Sequence, residues 1–161
     1  MDDARVVAFQ LSRVPRGRWR TVARCAHGHP SCIATAPSLE DGEPFPTLYY
    51  LTCPHLAEAV SARESAGGLA WWRDRIAADP ALASALADAD ETYRRARSVE
   101  GGGNDPLPET GIAGQRDPQA LKCLHAHVAA YLAGIADPVG AVVLEGTEVV
   151  CADRRCERAL G

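Results

Sequence analysis

Six cysteines and five histidines carry most of the chemistry available to this chain of 161 residues. Cys123 and His127 stand four apart in a helix-like segment, a spacing that lets two side chains on one helical face bind one ion. Cys25 and Cys53 each end a predicted strand, and Cys151 follows the last apolar run. Thiolates from four separate elements can close a tetrahedral zinc site or hold an iron–sulfur cluster. The sequence therefore predicts a metal centre made of Cys25, Cys53, Cys123 and either Cys151 or His127.

The remaining cysteines and histidines are predicted to lie outside this centre. No two cysteines have the C-x2-C spacing of a zinc knuckle, so the centre depends on the fold rather than on a local motif. Cys32 falls inside a predicted strand and is expected to fill the core, whereas Cys156 falls in a polar tail and is expected to be exposed. His27, His29 and His55 stand beside turn residues and are expected to be solvated.

The number of protein ligands decides what such a centre can do. Four protein ligands make a zinc site structural, whereas three leave a position where a bound water can be activated for hydrolysis. A rival reading is a thiol-dependent hydrolase with Cys123 as nucleophile, because the neighbouring Lys122 favours the thiolate. Of the two nearby histidines, His127 is the better placed base and His125 the alternative. The sequence identifies no third, orienting residue, and whether the protein is an enzyme stays open.

The order of predicted elements favours an α+β fold. A small antiparallel sheet from the N-terminal strands is expected to pack with four to five helices, one of them buried because it is apolar nearly all round. A single domain over residues 1–161 is expected, with a long Gly/Pro-rich loop at 100–117. The predicted strands cover 19–25, 32–35 and 47–52; the predicted helices cover 2–12, 54–66, 69–78, 80–99 and 118–133; a hairpin is predicted around 145–147.

The composition and net charge indicate which partners and which cellular location are expected. Seventeen basic and 21 acidic residues leave a net charge of −4, so nothing draws the chain to nucleic acid or to an anionic membrane. No apolar run is long enough to span a bilayer, and the acidic N-terminus lacks the anatomy of a signal peptide. The expected location is the cytoplasm, where cysteines stay reduced and are free to bind metals.

A different class of function, a protein-binding module with merely packed cysteines, also fits the sequence. Its contact surface would be either the basic N-terminal segment or the Trp71-Trp72 pair, since two adjacent tryptophans on one helix cannot both face the core. The oligomeric state is not indicated. The arginines of the basic segment are Arg13, Arg16, Arg18, Arg20 and Arg24.

Four blocks of the sequence together suggest a family. The blocks are Arg24-Cys25-x2-Gly28-x-Pro30, Leu39 to Pro54, Lys122 to His127, and Asp137-Pro138-Val139-Gly140. With them the chain resembles, over residues 5 to about 151, the actinobacterial family called domain of unknown function 501.

The resemblance implies no reaction. It implies a bacterial cytosolic protein, often encoded near a cell-division initiator and a polyphosphate-type phosphatase, which would tie a binding module to division or envelope growth. It also sets Cys25, Cys53, Cys123, His125 and His127 at motif positions and so favours a shared site.

Overall fold

A three-stranded antiparallel sheet forms the first half of the fold. The computed structural model describes residues 2–161. The strands β1 (Trp19–Arg24), β2 (Pro30–Thr35) and β3 (Tyr49–Leu51) lie side by side in chain order. The central strand, β2, is buried along its whole length, and the β1–β2 register shifts between Thr21 and Arg24. The predicted N-terminal hairpin and the third strand are confirmed.

The other regular elements of the structure are helices, so the predicted α+β class is confirmed. The Asp79-Pro80 pair begins the longest helix, because the Asp79 carboxylate accepts the N–H groups of Ala81 and Leu82. In residues 2–161 the α-helices are α1 (Asp3–Leu11), α2 (Pro54–Ser65), α3 (Gly68–Ala78), α4 (Pro80–Glu100), α5 (Leu124–Leu132) and α6 (Pro138–Glu145). Short 3-10 helices cover Ile112–Gly114 and Arg155–Leu160.

The core is centred on α5. This helix contacts β2 and β3 on one side and α2 and α6 on others, as expected for a helix that is apolar on most faces. The Cys32 thiol donates to the carbonyl oxygen of Ala129 at 3.5 Å, which joins the central strand to the central helix. Cys32 is completely buried, so its predicted place in the core is confirmed.

The helix that carries the candidate chemistry is shorter than predicted. The sequence predicts a helix over 118–133, but α5 begins only at Leu124. The N–H of Leu124 donates to Glu64 Oε1 at 2.7 Å, and Arg73 donates to the carbonyl oxygen of Leu121 at 3.0 Å. These side chains from α2 and α3 take backbone groups that a continuous helix would pair internally, so tertiary contacts set the start of α5.

The predicted C-terminal hairpin is wrong. The first of its two apolar runs forms α6, because Asp137 accepts the N–H groups of Val139 at 2.9 Å and Gly140 at 3.0 Å. The second run forms no strand, and its side chains are largely exposed. Where α6 crosses α5, a Cβ atom added to Gly140 would lie 2.2 Å from the carbonyl oxygen of His127, so glycine permits this close approach.

A buried arginine anchors the long loop between α4 and α5. Arg97 has no exposed surface, and its Nε donates to Asp105 Oδ2 at 2.9 Å. Its guanidinium also donates to the carbonyl oxygens of Leu107, at 2.7 Å, and Thr110. The loop, predicted over 100–117, is therefore tied to the last turns of α4 in addition to the hydrogen bonds that it makes within itself.

Helix α4, at 21 residues, is the longest in the described chain, and about half of its residues are polar or charged. None of the helices within residues 2–161 combines the length and the apolar composition needed to cross a membrane.

Candidate functional site

A cavity of about 640 Å³ opens between the sheet, the anchored loop and the start of α5. One wall comes from β3 and the residues before it, and the opposite wall from the loop that Arg97 holds. Lys122, Cys123 and His125 line the cavity where α5 begins. The remaining lining residues are Pro46, Thr47, Tyr49, Tyr50, Leu51, Leu107, Thr110, Ala113, Gly114 and Ala126.

Cys123 stands at the N-cap position of α5. Its backbone is extended, and its side chain makes no capping hydrogen bond. The sequence pattern predicts that Cys123 and His127 share one face of a helix. In the structure they do not, because Cys123 precedes the first helical residue of α5.

His125 and Glu64 complete a compact group with Cys123. The Nδ1 atom of His125 lies 3.2 Å from Glu64 Oε1, and the two side chains are 28% and 24% exposed. The other ring nitrogen, Nε2, lies 3.2 Å from the carbonyl oxygen of Ala57 and 3.2 Å from Ser61 Oγ. Glu64, Cys123 and His125 each offer a ligand atom, and these three atoms all lie within 4.8 Å of one another. Both ring nitrogens of His125 thus have partners, and one faces the carboxylate.

The electrostatics of this group favour a positive charge at its centre. A hydrogen bond with Cys123 is the main reason that the pKa of His125 is raised from 6.5 to about 9; burial opposes the shift, and the charges of Cys123 and Glu64 add to it. At neutral pH the histidine of the metal-free protein is therefore protonated. The Glu64 carboxylate beside the ring favours a positive charge at this place, which either the proton of His125 or a metal cation can supply.

His127, the other predicted histidine, lies elsewhere. It is buried, and its Nδ1 lies 2.6 Å from Asp137 Oδ2, the carboxylate that begins α6. It does not line the cavity. Of the two histidines that the sequence offers as partners for Cys123, the structure brings His125 to the thiol and pairs His127 with Asp137.

The other three predicted ligands, Cys25, Cys53 and Cys151, are not grouped with Cys123. They lie towards the end of the sheet where β2 begins: Cys25 donates its N–H to the carbonyl oxygen of His29 at 2.9 Å, and the His27 ring lies 2.9 Å from the carbonyl oxygen of Cys151. The predictions that Cys156 is exposed and that His29 is solvated are wrong, because both side chains are buried. The sequence-predicted centre is thus divided among three places in the fold: the cavity, the His127–Asp137 contact and this end of the sheet.

The two predicted contact surfaces for a protein partner, the basic N-terminal segment and the Trp71-Trp72 pair, already make contacts within the chain. Arg16, Arg20 and Arg24 pair with Glu43, Glu100 and Asp3, at 2.9, 2.8 and 2.7 Å. These ion pairs neutralise much of the basic N-terminal segment. In the tryptophan pair, Trp72 is buried and Trp71 is 50% exposed, and the Arg75 guanidinium lies 4.9 Å from the Trp71 ring centre.

Glu64 is the residue of this candidate site that the sequence did not indicate. It lies near the C-terminal end of α2, about 60 positions before its partners, within a helix of mixed composition. The weak signal available was its i, i+3 spacing from Ser61, which puts both side chains on the α2 face that meets His125.

Comparison with known proteins adds the family and nothing about a reaction. No curated protein and no solved structure matches the chain. The family model described as "Protein of unknown function (DUF501)" matches residues 21–145, which run from within β1 to the end of α6 and include the whole Glu64–Cys123–His125 group. With more than half of its length matched, the chain belongs to the DUF501 family.

Proposed function

We propose that this protein binds one zinc ion through Glu64, Cys123 and His125 and uses it for hydrolysis in the adjoining cavity. The observation that carries the proposal is the closeness of the three ligand atoms, all within 4.8 Å of one another, at the wall of a cavity of about 640 Å³. A thiolate sulfur, an imidazole nitrogen and a carboxylate oxygen are all accepted zinc ligands, and zinc tolerates this mixed set.

The hydrogen bonds around the group support this assignment. Nε2 of His125 is placed to donate to the carbonyl oxygen of Ala57, at 3.2 Å, which leaves the lone pair of Nδ1 for a metal. Histidine ligands of zinc are commonly held in this way by a backbone carbonyl. Glu64 is oriented by the N–H of Leu124, so α5 and the carboxylate fix each other.

Three protein ligands leave room for a water or a substrate atom. Zinc lowers the pKa of a bound water to about 7, which supplies a hydroxide nucleophile near neutral pH. Lys122 lines the cavity and attracts anionic groups, whereas Leu51, Leu107 and the tyrosine rings offer apolar contacts. We expect a small substrate that has an anionic group and an apolar part. A cytoplasmic location, which we propose from the sequence, keeps the thiol reduced.

Zinc content and zinc affinity test the proposal. The purified protein should hold about one zinc per chain at this site, and Glu64→Gln, Cys123→Ser and His125→Asn should each weaken zinc binding by a factor of about 100 in a competition assay with a chromogenic chelator. Glu58→Gln is the matched control, because Glu58 lies on the same helix and pairs with Arg155 instead. If the three site variants bound zinc as tightly as both the wild-type protein and the Glu58→Gln control, the site would be ruled out.

A second candidate uses the same residues without a metal. Cys123 at the start of α5, beside a histidine whose pKa is raised to about 9, is also the arrangement of a thiolate–imidazolium pair. In that case Cys123 is the nucleophile, His125 donates a proton to the leaving group and Glu64 orients the ring. Protein isolated without metal, whose Cys123 reacts rapidly with iodoacetamide at a rate that added zinc does not change, would favour this candidate over the first.

A further inference from the structure

A second group of cysteines lies at the end of the sheet where β2 begins, away from the cavity. Two backbone hydrogen bonds place Cys25 on one side of the start of β2 and Cys53 on the other. Cys25 donates its N–H to the carbonyl oxygen of His29 at 2.9 Å, and Cys53 donates its N–H to the carbonyl oxygen of Ser31 at 3.4 Å. Cys25 follows β1 and Cys53 follows β3, so the two flanking strands deliver them to the same end of the sheet.

The C-terminal segment brings two more cysteines to this strand end. The Gln10 side-chain amide donates to the carbonyl oxygen of Pro30 at 2.7 Å and to Cys156 Sγ at 3.3 Å, so that sulfur lies close to the first residue of β2. The His27 ring, in the turn between β1 and β2, lies 2.9 Å from the carbonyl oxygen of Cys151. Cys53, Cys151 and Cys156 are all buried.

The sulfur atoms are near enough to influence one another's ionisation. Burial is the main reason that the pKa of Cys53 is raised, and the charges of Cys156 and Cys25 raise it further. Burial also raises the pKa of Cys156 most, and the charges of Cys25 and Cys151 contribute. Together with the hydrogen bonds that position the chain here, these mutual influences indicate that the thiols lie near one another at one end of the sheet.

A hydrogen-bond donor already points at one of the sulfur atoms. The side-chain amide of Gln10 donates to Cys156 Sγ at 3.3 Å. Donors of this kind stabilise metal-bound thiolates and tune iron–sulfur centres. At the same end of the sheet, the buried Nδ1 atom of His29 has no hydrogen-bond partner in the described chain.

The distances between the sulfur atoms distinguish a zinc site from an iron–sulfur cluster. A zinc ion bound at about 2.3 Å by four thiolates requires sulfur atoms roughly 3.8 Å apart. Among the described residues, no three of these sulfur atoms lie together within 4.8 Å; that spacing is met by Glu64, Cys123 and His125. A [4Fe–4S] cluster holds its thiolates farther apart, because each thiolate binds a different iron atom. We propose that Cys25, Cys53, Cys151 and Cys156 hold a [4Fe–4S] cluster.

This centre is independent of the zinc site and joins segments that are distant in sequence. The cluster would tie the N-terminal hairpin, the start of α2 and the C-terminal segment together at one end of the sheet. Its four ligands come from both chain halves, so its binding energy would add to the stability of the folded state.

The test is the iron and sulfide content of the full chain, purified without oxygen and also after incubation with ferrous iron and sulfide. We expect about four irons and four sulfides per chain and the broad visible absorption of an iron–sulfur chromophore. Cys156→Ser should lower iron and sulfide several-fold. Cys123→Ser is the matched control: it should leave iron and sulfide unchanged while it removes zinc from the cavity site.

The outcomes separate this centre from the zinc site. Iron and sulfide that depend on Cys53 and Cys156 but not on Glu64 support the cluster, whatever the zinc content. A wild-type chain that takes up neither iron nor sulfide under reconstitution overturns it, as does stoichiometric zinc that is lost on Cys53→Ser. The wild-type measurement decides the question even where a cysteine variant fails to fold, and circular dichroism identifies such a variant.

Discussion

The carboxylate of Glu64 serves His125 and the backbone of α5 at once. Its Oε1 atom lies 3.2 Å from Nδ1 of His125 and accepts the N–H of Leu124 at 2.7 Å. One oxygen atom therefore sets both the point where α5 begins and the position of the imidazole. Because Cys123 immediately precedes that point, the thiol, the ring and the carboxylate are positioned by a single contact between α2 and α5.

The ionisation of His125 should make the metal-free protein less stable as pH rises. Its pKa is raised from 6.5 to about 9, first by the hydrogen bond with Cys123 and then by the charges of Cys123 and Glu64. A histidine with a raised pKa contributes stability that is complete below pH 6.5 and is lost as pH approaches 9. Urea unfolding of metal-free protein should show the free energy of unfolding falling across this window. An NMR titration should show that Cys123→Ala lowers the pKa of His125 more than Glu64→Gln does; equal pKa values in all three proteins would contradict the cause given.

The cysteines should differ in their reaction with iodoacetamide. Cys123 is partly exposed at a helix N-terminus, whereas Cys32 is buried and burial raises the pKa of its thiol to about 12. Alkylation of the metal-free protein followed by peptide mass spectrometry should therefore modify Cys123 first and Cys32 last. His125→Asn should slow the modification of Cys123 and leave that of Cys32 unchanged. Faster reaction at Cys32 would mean that the core opens more readily than its packing indicates.

Arg97 should be among the most costly positions to truncate. Arg97→Ala leaves the nearly buried Asp105 carboxylate and two loop carbonyl oxygens without their donor, and breaking such a buried pair costs about 3–5 kcal/mol. Arg95→Ala is the matched control, because Arg95 lies on the same helix in an exposed pair with Glu91 and should cost less than about 0.5 kcal/mol.

Urea unfolding would measure both free energies. Amide hydrogen exchange should also accelerate over residues 105–110 in Arg97→Ala alone, because these residues lose their anchor. Similar unfolding free energies for the two variants would show that the buried pair does not hold the loop.

Asp137 should contribute more stability than an ordinary helix cap. Asp137→Ala removes the cap of α6, worth about 1 kcal/mol, and leaves the buried His127 ring without its acceptor, for a total of about 2–4 kcal/mol. Asp79→Ala removes an equivalent cap from α4, with the same two kinds of N–H bond but no histidine, and should cost about 1 kcal/mol. The difference between the two unfolding free energies measures the contact with His127.

The local signals in the sequence predicted the elements that local contacts determine. The N-terminal hairpin, α2, α3 and α4 all begin or end at glycines, prolines and caps that act within a few residues, and these predictions are confirmed. Four Asp-Pro pairs, at 79–80, 105–106, 117–118 and 137–138, look alike in sequence. The first and fourth begin helices and the second lies in the long loop. The third makes only one turn, since Arg73 and Glu64 take the backbone groups that follow it.

The chemistry was less predictable because it depends on long-range contacts. The sequence marked Cys123 and His125 as candidates, yet it could not pair them with Glu64, which reaches them only through the packing of α2 against α5. The same holds for Cys156, which looked like part of a polar tail but is buried near Pro30 through Gln10. The pairing of His127 with Asp137 likewise depends on α6, a helix that the apolar pattern did not indicate.

Because Gly140 has no side chain, α6 lies close enough to α5 for the Asp137 carboxylate to contact the His127 ring. A methyl group at this position would meet the His127 carbonyl oxygen at 2.2 Å and would force the two helix axes apart. Asp137, three residues earlier on the same helix, would then move away from an imidazole that it now meets at 2.6 Å. A single absent carbon atom therefore controls the separation of a carboxylate and a ring to which it is not itself bonded.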